Sequence, residues 1–171
     1  VNAIRSIQDE SQLEGATVYV NLEPCAHQGK TPPCADLLVR SKVAAVVIGC
    51  RDSNKLVAGK GIEKLTRAGI SVTEGILEEA CRSLNKRFFN FHEKGRPYVI
   101  LKWAQTKDGY LDRLRAENEK GVHWISCEET KALVHKWRSQ EHGILVGKHT
   151  AMNDNPSLTV RDFSGRNPIR I

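Results

Sequence analysis

Two cysteines, each preceded by a proline, flank a short polar loop near the start of the chain. Cys25 follows Pro24, and Cys34 follows Pro33. Proline is favoured at helix starts, and the apolar stretch after Cys34 predicts a helix beginning at this thiol. The positive end of a helix dipole lowers the pKa of a thiol toward the thiolate form that binds metal. These residues therefore favour a zinc site at the start of a helix.

Two thiols do not complete such a site, because zinc takes three or four protein ligands. The other cysteines are Cys50, Cys81 and Cys127, and none has a cysteine or histidine at close ligand spacing. His27 lies between the two thiols in sequence. Because it is so near Cys25, it could contact the substrate instead of binding the metal. The competing interpretation is a pair of inert cysteines, one capping a helix and one in the core.

The composition narrows the class of protein and its partners. The chain has 171 residues, which allows one domain or two small ones. No apolar run reaches the roughly 20 residues of a membrane span, and five cysteines without a disulfide framework favour a reducing cytoplasm. The net charge is +6, but aromatic residues are only 6% and no dense basic run occurs. We therefore expect a phosphorylated metabolite and cofactor as partners, with no nucleic acid and no membrane. A homo-oligomer is compatible with the sequence, which does not decide it.

The first half alternates between strand and helix patterns, which predicts an α/β layered sheet. The predicted strands are 16–22, 43–49 and 70–73, and the predicted helices are 34–40, 61–67 and 77–91. Charge, glycine and proline in residues 92–97 then indicate a linker. We therefore predict two domains, residues 1–94 and residues 95–171.

The second half predicts a further set of elements. Residues 98–102 and 143–147 are expected to be strands, and 167–171 the start of another. A helix is expected over 126–140, with Ser126 as its N-cap and Glu129 completing a capping box. Trp103 and Trp137 are expected to pack in the core. Four histidines are expected at the surface: His123, His135, His142 and His149.

The cysteine segment resembles the deaminase half of the bifunctional riboflavin-biosynthesis deaminase/reductases. The matching residues are Glu23-Pro24-Cys25 and Thr31-Pro32-Pro33-Cys34. That family belongs to the zinc nucleoside deaminases, whose pattern is His-x-Glu followed by Pro-Cys and a second cysteine. The resemblance implies that Cys25 and Cys34 bind zinc together with a histidine, and that a glutamate transfers protons. Both missing residues would stand directly before Val1, so we expect the chain as given to lack deaminase activity.

The segment 52–61 resembles a loop that borders the deaminase substrate in the same family. The family pattern is Asp-Pro-Asn-Pro-x-Val-x-Gly-x-Gly, and here Ser53 and Lys55 replace the two prolines. Both glycines, Gly59 and Gly61, are kept. The alternative is a flexible glycine loop without a role in binding.

A second group of motifs resembles the reductase half of the same enzymes, which has a dihydrofolate-reductase-like α/β fold. The segment 101–109 keeps the frame Lys-x-Ala-x-Thr-x-Asp-Gly. Further matches follow in the family's order: 124–126, Arg138, 147–150 and 154–161. The resemblance thus covers essentially the whole chain, as a partial cytidine-deaminase-like layered sheet followed by a partial reductase domain.

The resemblance also implies which residues bind cofactor and substrate. Contacts to NADPH are implied for Ala104, Trp124, Thr150 and Asp154. Arg138 and Arg161 would hold the substrate phosphate, since a guanidinium pairs bidentately with phosphate oxygens. The remaining implied substrate contacts are Leu158, Val122 and Lys102. The family often has serine at the position of Val122. The competing interpretation of Lys102 is a solvated lysine on a strand.

The chain is therefore interpreted as part of a riboflavin-synthesis enzyme. Its zinc site would deaminate a phosphoribosylamino-pyrimidine, and NADPH would then reduce the ribose to ribityl. One alternative is a nucleobase or tRNA deaminase with an unrelated C-terminal domain, which the reductase motifs disfavour. The other is a basic zinc module that binds nucleic acid, which would need a complete internal ligand set.

Overall fold

The computed structural model describes residues 1–29, 31–54, 57–117 and 119–171. Its contacts divide into an N-terminal unit, Val1–Ile100, and a C-terminal unit, Leu101–Ile171. Lys55, one of the two proline replacements noted in the 52–61 loop, lies outside the described residues. Within the described residues, no helix has the length and apolar character needed to cross a bilayer.

The N-terminal unit alternates strands and helices. Its elements are α1 (Asn2–Arg5), a 3-10 turn (Glu10–Leu13), β1 (Thr17–Leu22), α2 (Cys34–Arg40), β2 (Ala45–Cys50), α3 (Lys60–Arg67), β3 (Ser71–Glu74), α4 (Glu78–Leu84) and α5 (Lys86–Lys94). The predicted strands and the helices α2 and α3 are confirmed to within two residues. The helix predicted over 77–91 is two helices that meet at Asn85, whose side-chain amide caps the Cys81 carbonyl at 2.9 Å.

Three parallel strands form the sheet of this unit in the order β1-β2-β3. The central strand buries Val46 and Ile48 completely, and Leu38 of α2 and Leu65 of α3 join the same core. Because the strands are parallel, their carboxyl ends meet at one edge, and Leu22 is paired there with Cys50. The segments that follow these two residues are therefore brought together.

Gly49 of β2 has no room for a side chain. A Cβ atom there would lie 2.2 Å from Sγ of Cys81 on α4, far inside any real contact distance. The glycine thus lets α4 pack closely on the central strand.

The C-terminal unit contains α6 (Glu128–Gln140), β4 (Gly143–Ile144), α7 (Lys148–Asp154) and β5 (Ile169–Arg170). Strands β4 and β5 are parallel, with Gly143 opposite Ile169. Residues 98–102 are not a strand, and the strand predicted over 143–147 is only two residues long. Apolar patterning gives strand propensity, but a strand forms only where a neighbour pairs with it.

Two further predictions for this unit are wrong. Helix α6 begins at Glu128, and its N-cap is Cys127 without a side-chain capping bond, so the capping box at Ser126 is not formed. Trp103 and Trp137 are 62% and 47% exposed rather than packed in a core.

Candidate functional site

A buried carboxylate organises the carboxyl edge of the parallel sheet. Glu23 directly follows β1 and is 4% exposed. Its Oε2 accepts backbone N–H groups from Asp52 and Gly59 at 3.2 and 3.0 Å, and its Oε1 accepts those of Gly61 and Ile62 at 3.0 and 3.3 Å. One side chain therefore ties the end of β1 to the 52–61 loop and to the first turn of α3, where a negative charge also suits the helix dipole.

The 52–61 loop is ordered by this carboxylate and by its own side chains, so the described part is not a free glycine loop. Asp52 is buried, and its Oδ1 accepts the N–H of Asn54 at 2.7 Å. Gly59 adopts a φ of +80°, which favours glycine. A Cβ on Gly61 would lie 1.8 Å from the Pro24 carbonyl oxygen, so this glycine permits the close approach of α3 to the cysteine segment.

Cys25 and Cys34 lie together at the start of α2. The backbone N–H of Cys34 points to Sγ of Cys25 at 3.3 Å, and the N–H of Ala35 donates to the Cys25 carbonyl at 3.1 Å. Both thiols are half-buried. The chain thus folds the second cysteine of the motif back onto the first, over a loop in which His27 is exposed.

The expected lowering of thiol pKa by the helix is not what the structure gives for Cys34. Burial raises the pKa of the Cys34 thiol, and its hydrogen bond and charge interaction with Cys25 raise it further. The short α2 helix is outweighed chiefly by desolvation, and next by the neighbouring Cys25, whose charge would repel a Cys34 thiolate. A cation between the sulfurs would remove that repulsion, so this donor pair fits a thiophilic metal such as zinc.

The thiol pair supplies only half of a tetrahedral ligand set. In the part of the chain that the structure describes, no group of three or more His, Cys, Asp or Glu side chains is placed to hold a metal ion. Cys50, Cys81 and Cys127 are free and lie outside this pair.

In the C-terminal unit, the reductase-like motif forms a tight turn. Gly109 has a φ of +92°, and the backbone N–H of Thr106 donates to the Tyr110 carbonyl at 2.8 Å. Ala104 is half-buried in the irregular segment before this turn. Lys102 lies in the same segment, and desolvation followed by the charge of Arg138 lowers the pKa of its ammonium.

Arg138 of α6 is a half-buried cation with a cationic neighbour, Arg161, and an acidic one, Asp162. Its Nη1 donates to the Thr159 carbonyl at 2.5 Å, but its Nε is buried and has no hydrogen-bond partner among the described residues. Desolvation, and then the charge of Arg161, lower the pKa of the guanidinium. The charge of Arg138 thus acts on Lys102, and the charges of Arg161 and Asp162 act on Arg138 in opposite directions. The surroundings of the three cations favour binding of an anion.

The segment that carries Arg161 is fixed to α6 by a buried histidine. His135 is 4% exposed, and its Nδ1 accepts the backbone N–H of Arg161 at 2.8 Å and that of Asp162 at 3.3 Å. The expectation that His135 lies at the surface is therefore wrong. Leu158 stands just before Thr159 with a φ of +55°, so the backbone bends sharply where the segment approaches the helix.

The residues expected to contact NADPH are placed in three positions. Trp124 is 59% exposed, and Nζ of Lys131 lies 3.9 Å from the centre of its ring. Thr150 is exposed on α7, one turn before the half-buried Asp154. The described contacts do not join Trp124 to these two residues or to Ala104.

Asp154 is held by Arg115, which the sequence did not single out. Nη2 of Arg115 lies 3.3 Å from Oδ1 of Asp154, its Nε donates to Asp112 at 2.6 Å, and its Nη1 donates to the Gly121 carbonyl at 2.9 Å. The Val122 position, exposed next to Gly121, lines a cavity of about 110 Å³ together with Arg115. This ion-pair network orders the approach to Asp154.

Sequence reasoning missed three positioning residues: Glu23, Arg115 and His135. Only Glu23 had a usable signal, because an acidic residue directly after a parallel strand stands where such sheets carry ligand loops. Asp154 lies 39 residues after Arg115, and Arg161 lies 26 residues after His135. No local pattern reports such contacts.

Two families match the chain. Residues 1–50 match the cytidine and deoxycytidylate deaminase zinc-binding region, and residues 97–171 match the RibD C-terminal domain. Among individual proteins, the riboflavin biosynthesis protein RibD of Aquifex aeolicus is 44% identical over 165 residues, which cover 96% of this chain and 45% of the relative. That of Actinobacillus pleuropneumoniae is 43% identical over 170 residues, covering 99% and 44%.

Solved structures agree with these matches. A diaminohydroxyphosphoribosylaminopyrimidine deaminase/5-amino-6-(5-phosphoribosylamino)uracil reductase from Thermotoga maritima superposes with a TM-score of 0.83 at 43% identity, covering 99% of this chain and 46% of that one. RibD of Acinetobacter baumannii gives 0.82 at 38% identity, with coverages of 98% and 47%. The chain therefore spans somewhat less than half the length of the relatives it matches.

Proposed function

The chain belongs to the RibD family of deaminase/reductases, and from this premise we propose that it carries parts of two active sites of riboflavin biosynthesis. Residues 1–94 would belong to a zinc-dependent deaminase, and residues 95–171 to an NADPH-dependent reductase. The substrate class is a phosphoribosylamino-pyrimidine. The observation that carries the proposal is the candidate anion site at Arg138, because its half-buried guanidinium keeps one buried nitrogen, Nε, without a partner among the described residues.

In the deaminase part, Cys25 and Cys34 would hold zinc. Bound zinc supplies the Lewis acid that activates water for hydrolytic deamination. The role of Glu23 is to fix the 52–61 loop beside these thiols through its four backbone contacts. His27 is exposed in the loop between the two cysteines, and we propose it as a substrate contact.

In the reductase part, Arg138 and Arg161 would bind the substrate phosphate, with Lys102 adding positive charge. The Nη1 of Arg161 also donates to the hydroxyls of Ser157 and Thr159, so its guanidinium is held before the phosphate arrives. A charged group fixed in advance loses little conformational entropy on binding. Leu158 and Val122 would add apolar or backbone contacts.

Trp124, Thr150, Asp154 and the backbone at Ala104 would form the NADPH contacts. The cofactor supplies the hydride that reduces the ribose. An exposed indole offers a flat apolar face to a cofactor ring. Nζ of Lys131 lies 3.9 Å from the centre of the indole ring and is paired with Glu128. Arg115 would keep the Asp154 carboxylate in one position.

We place the enzyme in the cytoplasm, because all five cysteines are free and metabolites of this class are phosphorylated. A role for the chain in binding nucleic acid or membranes is not proposed. The nucleobase or tRNA deaminase alternative is disfavoured by the match of residues 97–171 to the RibD C-terminal domain.

The test uses the whole gene that encodes these residues. Expressed in a riboflavin-requiring bacterium that lacks both activities, it should restore growth without riboflavin. The purified product should release ammonia from the phosphorylated pyrimidine and then oxidise NADPH. Cys34→Ser should abolish only the first reaction, and Arg138→Ala should impair only the second.

The 171-residue chain by itself should release no ammonia, because its described residues offer no group of three metal ligands. NADPH binding should be measured on the purified product of the whole gene. Absence of growth from a well-expressed whole gene, together with no nucleotide binding, would overturn the proposal.

A further inference from the structure

His135 is buried, although the proposed reaction gives this residue no role. It lies on α6 three residues before Arg138, so both side chains leave the same face of the helix. It is one of three polar or charged residues that are buried among those described. A buried imidazole needs polar partners. Here Nδ1 accepts two backbone N–H groups and Nε2 lies near the Asp162 carboxylate, all within the segment that carries Arg161.

We propose that His135 is the positioning residue of the phosphate site: its neutral imidazole holds Arg161 in place for the phosphorylated substrate. The inference rests on the proposed function of Arg138 and Arg161 as the phosphate clamp. His135 itself touches neither substrate nor cofactor in this scheme.

The geometry defines the protonation state of the ring. Nδ1 accepts the N–H of Arg161 at 2.8 Å, so the ring proton must be on Nε2. Nε2 lies 3.4 Å from Oδ2 of Asp162, which can accept that proton's hydrogen bond. A second proton on Nδ1 would face the Arg161 N–H donor directly and break the attachment.

Two contacts from one helix face therefore fix the arginine segment. Arg138 holds the Thr159 carbonyl, and His135 holds the Arg161 N–H two residues further on. Between them, the N–H of Val160 donates to Oδ1 of Asn167 at 2.7 Å, so His135 supplies the attachment at Arg161 itself. With both, the two guanidinium groups are set relative to each other before a phosphate binds.

The charges around His135 also favour the neutral ring. Arg138 on its own helix and Arg161 on the facing segment lower its pKa, after desolvation as the largest cause, and Asp162 opposes them. The attachment is therefore intact at neutral pH and is lost in acid.

The experiment measures binding of ribose 5-phosphate to the purified 171-residue chain by calorimetry, for wild type and three variants. His135→Leu removes the acceptor, His135→Gln keeps an acceptor that does not titrate, and His142→Gln is the matched control at an exposed histidine. We expect about a tenfold weaker affinity for His135→Leu at pH 8, and changes of less than about threefold for the other two. Rescue by glutamine is the outcome that a purely space-filling role would not give.

The pH profile gives a second, independent readout. Between pH 8 and pH 5, wild type should lose more affinity than His135→Gln, and the ligand's own titration cancels in this comparison. The nitrogen chemical shifts of His135 should show an unprotonated Nδ1 at pH 8. A proton on Nδ1, or parallel pH profiles for wild type and His135→Gln, would overturn the inference even if His135→Leu fails to fold.

The two proposals fail in different ways. If Arg161→Ala weakens binding while His135→Leu folds and binds like wild type, the phosphate site stands and the role of His135 is wrong. If wild type does not bind ribose 5-phosphate, both the phosphate site and this inference are wrong.

Discussion

Glu23 and Gly61 meet at the start of α3, where Oε1 of the carboxylate accepts the glycine N–H at 3.0 Å. The same glycine has no space for a Cβ, because the Pro24 carbonyl oxygen would lie 1.8 Å away. An acid at the end of one strand and a glycine at the start of one helix thus bring the cysteine segment against the 52–61 loop. The hydrogen bond from Gly61 to Glu23 requires a close approach to Pro24 that only glycine permits.

Glu23→Gln should destabilise the N-terminal unit. Each carboxylate oxygen accepts two backbone N–H groups, so the new amide nitrogen faces two donors in either orientation. Since a hydrogen bond to a charged group contributes about 1.5–3 kcal/mol, we expect the free energy of unfolding to fall by about 3 kcal/mol. Urea unfolding measures it, and Glu79→Gln at an exposed position is the control. Equal stability of the two variants would show that the four backbone hydrogen bonds to Glu23 do not stabilise the unit.

Gly61→Ala should be more damaging than a normal glycine replacement. The clash is with backbone, which cannot rotate away, so α3 must move from the cysteine segment or the unit must unfold. We expect a loss of at least about 3 kcal/mol, in the range of severe overpacking. Gly29→Ala is the control, because its Cβ would make only an ordinary 3.8 Å contact with His27. Thermal unfolding of both variants decides the matter.

Cobalt(II) offers a direct test of the thiol pair. Added to the reduced chain, it should produce a thiolate-to-cobalt absorption band, because the Cys25 and Cys34 sulfurs lie together at the start of α2. Cys25→Ser or Cys34→Ser should remove most of that band, whereas Cys127→Ser, at an exposed free thiol, should leave it unchanged. A band of full intensity in the first two variants would show that the metal binds elsewhere.

Arg138→Ala should weaken binding of the phosphorylated substrate by about 1.5–3 kcal/mol, the contribution of a hydrogen bond to a charged group. NADPH affinity should barely change, since the cofactor contacts are proposed at other residues. Calorimetry with each ligand separates the two effects, and Arg166→Ala at an exposed arginine serves as the control. Loss of NADPH binding with substrate binding intact would reverse the assigned roles.

Stability of the C-terminal unit should decrease in mild acid through His135. Its pKa in the folded state is lowered from the ordinary 6.5, chiefly by desolvation. The unfolded chain therefore takes up this proton first, and the stability present above about pH 6.5 is lost as pH falls through the folded pKa. Wild type should lose more unfolding free energy than His135→Gln between pH 7.5 and pH 5. Identical slopes in chemical unfolding at each pH would refute the buried neutral histidine.

The order of strands and helices in the N-terminal unit could be predicted because each element there has its own local pattern. The apolar run of β2 and the segment after Cys34 adopt in the fold the structures that their local patterns predict. Residues 98–102, which straddle the two units in sequence, and residues 143–147 have strand patterns, yet of these only Gly143–Ile144 pairs with another strand. Pairing is a non-local condition that apolar patterning does not specify.

The candidate sites divide in the same way. The sequence alone determined which residues could bind zinc and which could bind phosphate, because these cysteines and arginines occur in recognisable motifs. Only the tertiary structure decided that Cys34 folds back on Cys25, that Glu23 holds the neighbouring loop and that His135 is buried against Arg161. These contacts join residues that are 9, 38 and 26 positions apart. Such distances close only when parallel strands share an edge or a helix face packs on a distant segment, which no local pattern specifies.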